Sequence, residues 1–227
     1  PLCWSVEDAA LLFGAMGGGR PVDLKASSLK GKRFAILTTV ALDDVREAPR
    51  AGFDRAVQRF RDAGAEIVDL AVPELTKAMT LAPILYGSEA YGTWKDVIEA
   101  NPDLMFGEIL NRFRSGKDFT GADFVAAWQQ LERYRAAYDA ATAGFDAVLC
   151  PTSPITPPNV HRLMTDSDYY VTENLLTLRN TRIGNLMGLS TLALPTGIPA
   201  CGVSLMAAPR AERRLLRLGA AAEEALA

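Results

Sequence analysis

The sequence predicts a protein of the α/β class, with a mixed β-sheet flanked by helices and a helical insertion. Three observations support this prediction. Short apolar runs at 33–37 and 65–70 enclose a stretch of helical periodicity, the middle third has the pattern of helices, and two further apolar runs precede a terminal helix. A chain of 227 residues can bury roughly 70–75% of the surface that its unfolded form exposes.

The first helix is predicted directly at the start of the chain. Ser5 is a candidate N-cap, and Asp8 completes a variant of the capping box. The glycines at 17–19 are expected to end the helix. Between these signals, apolar residues recur at helical spacing: Ala9, Leu12, Phe13 and Met16.

A strand–helix–strand passage follows. The helix at about 47–63 has Pro49 in its first turn, and Gly64 ends it before the strand at 65–70. Two strands joined by a helix imply a right-handed parallel crossover. The first strand, 33–37, lacks a GxGxxG or GK[ST] turn, which argues against nucleotide binding. The helix places four apolar residues on one face: Phe53, Ala56, Val57 and Phe60.

The helical insertion is expected at about 73–144, within a single domain that spans residues 1–227. Its strongest helix is capped by Thr120 with Asp123 as the capping-box partner, and Gly144 closes it. An apolar stripe along this helix indicates core packing and consists of Phe124, Ala127, Trp128, Leu131, Tyr134 and Tyr138.

A long loop is predicted at 151–170, after a buried strand at 145–150. The segment contains four prolines, and proline cannot donate to a strand ladder. Loops that leave the carboxyl end of a buried strand are where open α/β sheets bind ligands. We therefore expect this loop to form a pocket wall. Beyond it we expect a helix at about 173–187, strands at 191–194 and 203–206, and a helix from Pro209.

Composition narrows the range of partners and cofactors. The net charge is −3 and the basic residues are scattered, so we expect no direct nucleic-acid partner. No apolar run approaches the about 20 residues needed to cross a bilayer, so no membrane partner is expected. Cys3, Cys150 and Cys201 show no CxxC spacing, which predicts reduced thiols in a cytoplasmic protein and no metal site. No cofactor is expected.

Three segments together resemble the amidase signature family of hydrolases. They are PLCWSVEDAALLF at 1–13, DAVLCPTSPITPP at 146–158 and RNTRIGNLMGLSTLALPTG at 179–197. The chain departs from the common family pattern at Trp4, where arginine is usual, and at Ser190, where proline is usual. The closing strand and helix also resemble the family, so the resemblance extends over nearly the whole chain.

The resemblance implies hydrolysis of a carboxylic amide by a Ser–Ser–Lys triad without metal or cofactor. In the family, the Gly/Ser-rich catalytic segment precedes the stretch that matches residues 1–13. We therefore assign no catalytic residue to this chain, expect it to be the carboxyl-terminal part of an amidase, and expect it to be inactive alone. The implied partners are a small-molecule carboxamide substrate and the N-terminal half of the same enzyme, and a homodimer is left open.

Four residues are predicted to contact substrate, and Glu89 is considered beside them. The resemblance places Thr181 beside the acyl part of the substrate, and Thr152 and Ile155 lead the loop that borders the cleft. Tyr86 and Glu89 lie on a helix that is expected to face the same opening. Structural roles are the alternative for these residues, with the Thr181 hydroxyl bonded to its own helix backbone and Tyr86 packed in the core.

Other reactive groups have simpler explanations. Ser27 and Ser28 with Lys25 or Lys30 imitate a serine–lysine pair but lack flanking glycines. A Cys150–His161 pair is conceivable, although a buried thiol and a surface imidazole explain both residues. Asp166 and Asp168 fit a turn and not a calcium loop.

The function predicted from the sequence has a rival from another class. The alternative is a non-catalytic α/β module that binds a ligand or a protein, with 151–170 as a lid.

Overall fold

The fold is built on a mixed β-sheet. A computed structural model describes residues 1–227, apart from the burial of Gly18. Within the described residues the sheet has five strands. They are β1 (Arg33–Leu37), β2 (Glu66–Leu70), β3 (Ala147–Pro151), β4 (Ser190–Pro195) and β5 (Gly202–Ala207).

Three of these strands run parallel. The order across the sheet is β2-β1-β3-β5-β4, in which β1 pairs in parallel with both β2 and β3. Strand β5 is antiparallel to β3, and β4 is antiparallel to β5. The predicted parallel crossover and the predicted mixed sheet are both confirmed.

Helices cover both faces of the sheet. The described helices are α1 (Val6–Phe13), α2 (Glu47–Asp62), α3 (Pro73–Met79), α4 (Ala82–Ala100), α5 (Gly107–Arg114), α6 (Gly121–Thr142), α7 (Val160–Thr165), α8 (Ser167–Thr177), α9 (Arg179–Met187) and α10 (Glu212–Leu226). A π-helical turn at Gly14–Gly18 follows α1, and 3-10 turns at Pro102–Leu104 and Ser115–Asp118 flank α5.

The two central strands supply two hydrophobic cores. Successive side chains of a strand point to opposite faces, so each strand contributes to both layers. One core lies between the sheet and α1, α2 and α10, and it includes Phe34, Ile36, Ala147 and Leu149. The other lies between the sheet and α3, α4, α6 and α9, and it includes Ala35, Leu37, Val148 and Cys150.

The predicted capping box of α6 is present. The Thr120 hydroxyl accepts the Asp123 backbone N–H at 3.1 Å, and the Asp123 carboxylate accepts the Thr120 N–H at 3.0 Å. Such reciprocal bonds satisfy two of the unpaired donors at a helix start. The predicted stripe packs as expected: Ala127, Leu131 and Tyr138 are buried, and Phe124, Trp128 and Tyr134 pack at the margin of the same core.

The first helix begins as predicted but buries a different face. The Ser5 hydroxyl accepts the Asp8 backbone N–H at 3.1 Å. Helix α10 packs against α1, and the Val6 N–H donates to the Glu223 carboxylate at 3.0 Å. Val6, Ala9 and Ala10 are therefore buried, whereas Leu12 and Met16 are exposed.

The prediction of a loop over 151–170 is wrong beyond its first part. The prolines end at Pro158, and two capping residues then start helices. The Asn159 amide oxygen accepts the Arg162 N–H at 3.0 Å, and the Asp166 carboxylate accepts the Tyr169 N–H at 3.0 Å. Consequently α7 and α8 occupy the second part, and the helix expected at 173–187 is divided between α8 and α9.

No helix in the described part of the chain combines the length and the apolar character that crossing a bilayer requires.

Candidate active-site groove

Two loops meet at one edge of the sheet. Strands β1 and β3 are parallel, so the loop after β1 (38–46) and the loop after β3 (152–159) leave from the same edge. Asn180 on α9 joins them, because its side-chain N–H₂ donates to the Ala41 carbonyl at 3.0 Å and to the Pro151 carbonyl at 2.7 Å. Its amide is 2% exposed, and the two bonds use both of its donors.

Arg179, the neighbour of Asn180, strengthens this arrangement. Arg179 donates to the Asn180 amide oxygen at 3.1 Å and to the Ala41 carbonyl at 3.3 Å. Burial lowers the pKa of the Arg179 guanidinium, while Asp43 and Asp44 raise it. The RN pair of the RNTRIGN segment therefore holds both loops against α9.

An ion pair with a buried carboxylate ties α8 to the same edge. Arg46, directly before α2, binds the Glu173 carboxylate with both terminal nitrogens, one of them at 2.9 Å. The Glu173 side chain is 3% exposed, whereas that of Arg46 is 47% exposed. The hydrogen bond to Glu173 raises the pKa of Arg46. The Arg46 N–H also donates to the Pro154 carbonyl at 2.9 Å, which adds the loop after β3 to the network.

A groove opens beside these loops. Its outer part has a volume of ≈ 710 Å³ and lies between the loop after β1 and helices α8 and α9. Its inner part, of ≈ 350 Å³, is bordered by α4, α5, α8 and α9. The two parts share Met79, Leu175 and Arg182, so we treat them as one groove.

Cationic and apolar side chains line the groove. The outer part contains Arg46, Arg179, Arg182 and one carboxylate, Asp44. The inner part adds Arg112 and several uncharged residues, namely Ala82, Pro83, Tyr86, Gly87 and Ser115. Such a surface suits the carbon skeleton of a small molecule and an anionic group on it.

A close backbone contact lies beside the inner part of the groove. Gly87 on α4 meets Gly116 in the turn after α5, and a Cβ added at Gly116 would lie 2.0 Å from the Gly87 carbonyl oxygen. Any side chain at Gly116 therefore requires the backbone to move. The contact holds α5, and with it Arg112, against α4.

The residues predicted to contact substrate lie in different parts of the structure. Tyr86 lines the inner groove, and burial raises the pKa of its phenol while the charge of Arg182 lowers it. Ile155 is 2% exposed and part of the protein interior. Thr152 is half-buried, and its hydroxyl bonds that of Ser204 at 2.9 Å. The exposed Thr181 donates its hydroxyl to the Leu178 carbonyl at 3.1 Å.

Of these predicted contacts, the structure brings only Tyr86 into the groove among the lining residues it describes. Glu89 lies one turn further along α4 and borders a different cavity near the start of α6. Thr152, Ile155 and Thr181 remain predictions for the substrate-bound enzyme.

The arginines of the groove were missed in the sequence. One signal was available, since Arg179 and Arg182 lie three residues apart and so share a face of α9. Nothing local indicates that Arg46 and Arg112 reach the same groove, because they lie on other elements far away in the chain.

The alternative reactive groups have structural roles. Cys150 is buried in β3, which raises the pKa of its thiol to about 12, and His161 is exposed on α7. The Ser27 hydroxyl donates to the Leu24 carbonyl at 2.8 Å, and the Ser28 hydroxyl accepts the Lys30 N–H at 3.1 Å. Asp166 caps α8. These groups therefore stabilise local turns and the core.

Comparison with known proteins identifies the family. The family model described as "Amidase" matches residues 1–216. The chain is 28% identical over 221 residues to "2-amino-5-chloromuconic acid deaminase" of Comamonas testosteroni, covering 93% of this chain and 47% of that protein. It is 26% identical to "Amidase" of Pseudomonas putida, covering 99% of this chain and 52% of that protein.

Solved structures show the same fold. A structure described as "Crystal structure of amidase" superposes with a TM-score of 0.77 at 23% identity, covering 98% of this chain and 51% of that one. The structure of "6-aminohexanoate cyclic dimer hydrolase" gives a TM-score of 0.78 at 19% identity, covering 98% of this chain and 53% of that one. The chain thus spans about half the length of the relatives it matches. With the family model matched along nearly all of the chain, this protein belongs to the amidase family.

Proposed function

We propose that this chain is the carboxyl-terminal part of an amidase that hydrolyses the C–N bond of a carboxylic amide through an acyl-serine intermediate. The Ser–Ser–Lys machinery lies on a polypeptide stretch outside residues 1–227. In the assembled enzyme, this chain completes the sheet and provides the groove that holds the acyl part of the substrate. Its membership of the amidase family supports the proposal.

The observation that carries this proposal is a groove equipped for binding and not for chemistry. It opens at the carboxyl edge of β1 and β3, where α/β sheets bind ligands. An acyl-enzyme mechanism needs a nucleophile within hydrogen-bond reach of a base. Among the described lining residues, the Ser115 hydroxyl donates to the Arg112 carbonyl at 2.8 Å instead. This bond supports the proposal that the nucleophile comes from another stretch of polypeptide.

Open surfaces support a second half that packs against this one. Strand β4 is the last strand of the described sheet and has one unpaired edge. Leu2, Trp4, Leu11 and Met16, around α1, are all largely exposed. Unpaired strand edges and contiguous apolar residues are typical of buried interfaces. We propose that the remaining part of the amidase domain covers this surface.

Reconstitution tests the proposal. The purified chain is incubated with small aliphatic, aryl and long-chain carboxamides, and ammonia release is measured. We expect no hydrolysis by the chain alone. We expect turnover when it is combined with the polypeptide encoded directly upstream. In that polypeptide a lysine should precede a Gly/Ser-rich run, and this run should end in a serine roughly 30–50 residues before Pro1. Serine-dependent turnover by the chain alone would contradict the proposal.

The interaction-module alternative predicts a different outcome. The exposed Trp4 and the open edge of β4 favour it to the extent that they suit any protein partner. In that case, the upstream polypeptide would restore no hydrolysis, and size-exclusion chromatography would show a stable complex or a homodimer.

Two further points complete the proposal. The two cores share the strands β1, β3 and β5, so we propose that residues 1–227 act as one domain with a helical insertion. We also propose a cytoplasmic location, since Cys3, Cys150 and Cys201 are all free thiols and such thiols suit a reducing compartment.

A further inference from the structure

We propose that the inner groove is a carboxylate-binding subsite, in which Arg182 and Arg112 hold an anionic group of the substrate with help from the Tyr86 hydroxyl. The amide that is hydrolysed would then carry a carboxylate at the end of its acyl part. This inference rests on the proposed function and specifies its substrate class.

Arg182 differs from the other arginines of the groove in its partners. Arg46 binds Glu173, and Arg179 binds the Ala41 carbonyl and the Asn180 amide. Arg112 donates one N–H to the Asn174 amide oxygen at 2.6 Å. In the part of the chain that the structure describes, Arg182 has neither an ion pair nor a side-chain hydrogen bond. Its guanidinium is half-buried and faces the space shared by both parts of the groove.

The electrostatic surroundings of Arg182 favour an anion. Burial lowers the pKa of its guanidinium, and the charge of Arg112 lowers it further, while Tyr86 opposes this effect. Arginine keeps its proton in proteins, so Arg182 stays charged despite its burial and the nearby cation. Its charge is therefore left without a balancing anion. The described lining of the inner part contains two arginines and no carboxylate. A bound anion would therefore offset the repulsion between the two cations as well as the cost of desolvation.

The shape of the subsite favours a carboxylate on a carbon chain. A guanidinium presents parallel N–H donors that match the two oxygens of a carboxylate. Burial keeps the Tyr86 phenol protonated, so it can add a third donor. Met79, Pro83 and Leu175 supply apolar wall in the inner part. The outer groove extends to the loop after β1, which Asn180 joins to the loop after β3. The amide group would lie there.

A pair of matched probes tests the inference by isothermal titration calorimetry. Succinamate carries one amide and one carboxylate, whereas succinamide has the same chain length and no charge. We expect the purified chain to bind succinamate and to bind succinamide at least tenfold more weakly, as is typical when a charge-assisted hydrogen bond is lost. Equal binding of both probes, or stronger binding of inorganic phosphate than of succinamate, would overturn the inference.

Substitutions locate the binding. Arg182→Gln and Arg112→Gln should each weaken succinamate binding by about tenfold to a hundredfold and leave succinamide binding unchanged. Arg182→Lys keeps the charge but not the fork, so it should retain part of the affinity. Arg61→Gln is the matched control, since Arg61 is exposed on α2 on another surface. Loss of affinity in Arg61→Gln would show non-specific charge attraction and contradict the inference.

The measurement separates this inference from the proposed function because it needs no turnover. If the reconstituted enzyme hydrolyses neutral amides but the chain does not bind succinamate, the carboxylate-subsite inference is wrong and the amidase proposal stands. If the chain binds succinamate through Arg182 but reconstitution yields no hydrolysis, the amidase proposal fails and the subsite stands.

Discussion

The two edges of the parallel strands differ in whether their cations are paired with carboxylates. At the amino edge, the Asp146 carboxylate accepts the Arg33 backbone N–H at 2.9 Å and the Arg214 guanidinium at 2.7 Å, and Lys32 lies 3.6 Å away. Cations there face an acid. At the carboxyl edge, Arg46 has the same kind of partner in Glu173, but Arg182 has none among the described residues. Matched charge maintains the fold, whereas unmatched charge in a cavity suits a ligand.

Removing Arg46 should produce the largest loss of stability. Arg46→Ala leaves the Glu173 carboxylate buried without a counterion, which we expect to cost about 3 kcal/mol of unfolding free energy. Urea denaturation followed by circular dichroism measures it. Arg50→Ala is the control, because the Arg50–Asp54 pair on α2 is exposed and should contribute less than about 0.5 kcal/mol. Equal losses in both variants would refute the distinction between buried and exposed pairs.

Asn180→Ala tests the junction of the two loops. The substitution removes the donors for the Ala41 and Pro151 carbonyls, and we expect a loss of about 2 kcal/mol in the same assay. Limited proteolysis should show faster cleavage in the loops 38–46 and 152–159. Asn185→Ala, at an exposed position of the same helix, should change neither quantity. Unchanged cleavage in Asn180→Ala would mean that the loops are held by other contacts.

Asp146→Asn examines the amino edge through its pH dependence. Burial alone would raise the pKa of the Asp146 carboxyl, but bonds from Arg33 and Arg214 lower it overall. A lowered folded-state pKa stabilises the protein above the unfolded-state pKa of about 3.9, and this contribution is lost as the pH falls through the folded-state value.

The unfolding free energy of the parent chain should therefore fall more steeply below about pH 4 than that of Asp146→Asn. At pH 7, the variant should be less stable by about 1 kcal/mol. Chemical denaturation at pH 7, 5, 4 and 3 measures the difference. A constant difference across this range would assign the effect to packing and not to charge.

Arg182→Met should have the smallest effect, with the opposite sign. Arg182 makes no polar contact in the described part of the chain, so its loss should raise stability by about 0.5 kcal/mol without ligand. Its thermal unfolding midpoint would then equal or exceed that of the parent chain. A clear decrease would show that Arg182 has a structural role, which would weaken the contrast between the two edges.

Local patterns explain which parts of the fold the sequence could predict. The α6 capping box and the apolar stripe of α6 depend on residues within about one turn of their neighbours, and both were predicted correctly. The βαβ passage was also predicted correctly, because its strands and helix have clear local patterns and two strands joined by a helix pair in parallel. The segment 151–170 failed because its prolines end at Pro158, after which Asn159 and Asp166 act as helix caps. Helix α7 has only 6 residues, which is too few to show periodicity.

Contacts far apart in the chain explain what the sequence could not show. The face that α1 buries is decided by α10, more than 200 residues away, through the Val6–Glu223 bond. Arg46 and Glu173 are separated by 127 residues. Whether Arg182 has a partner depends on the positions of α4, α5 and α8 together. The missing partner therefore becomes visible only when all three helices are placed in space. Tyr86 was identified from its position on a predicted helix, and it alone of the predicted contacts lines the groove.

The contact between Gly87 and Gly116 limits how the inner groove can change. Because two backbones touch there, a side chain cannot be introduced at Gly116 unless the Gly87 backbone moves. The size of the inner groove is therefore more readily changed at Met79 and Leu175, which line it and can be exchanged for smaller or larger residues. If the groove holds an acyl chain as proposed, substitutions at these two positions would change the chain length that fits, while the Gly87–Gly116 contact would stay constant.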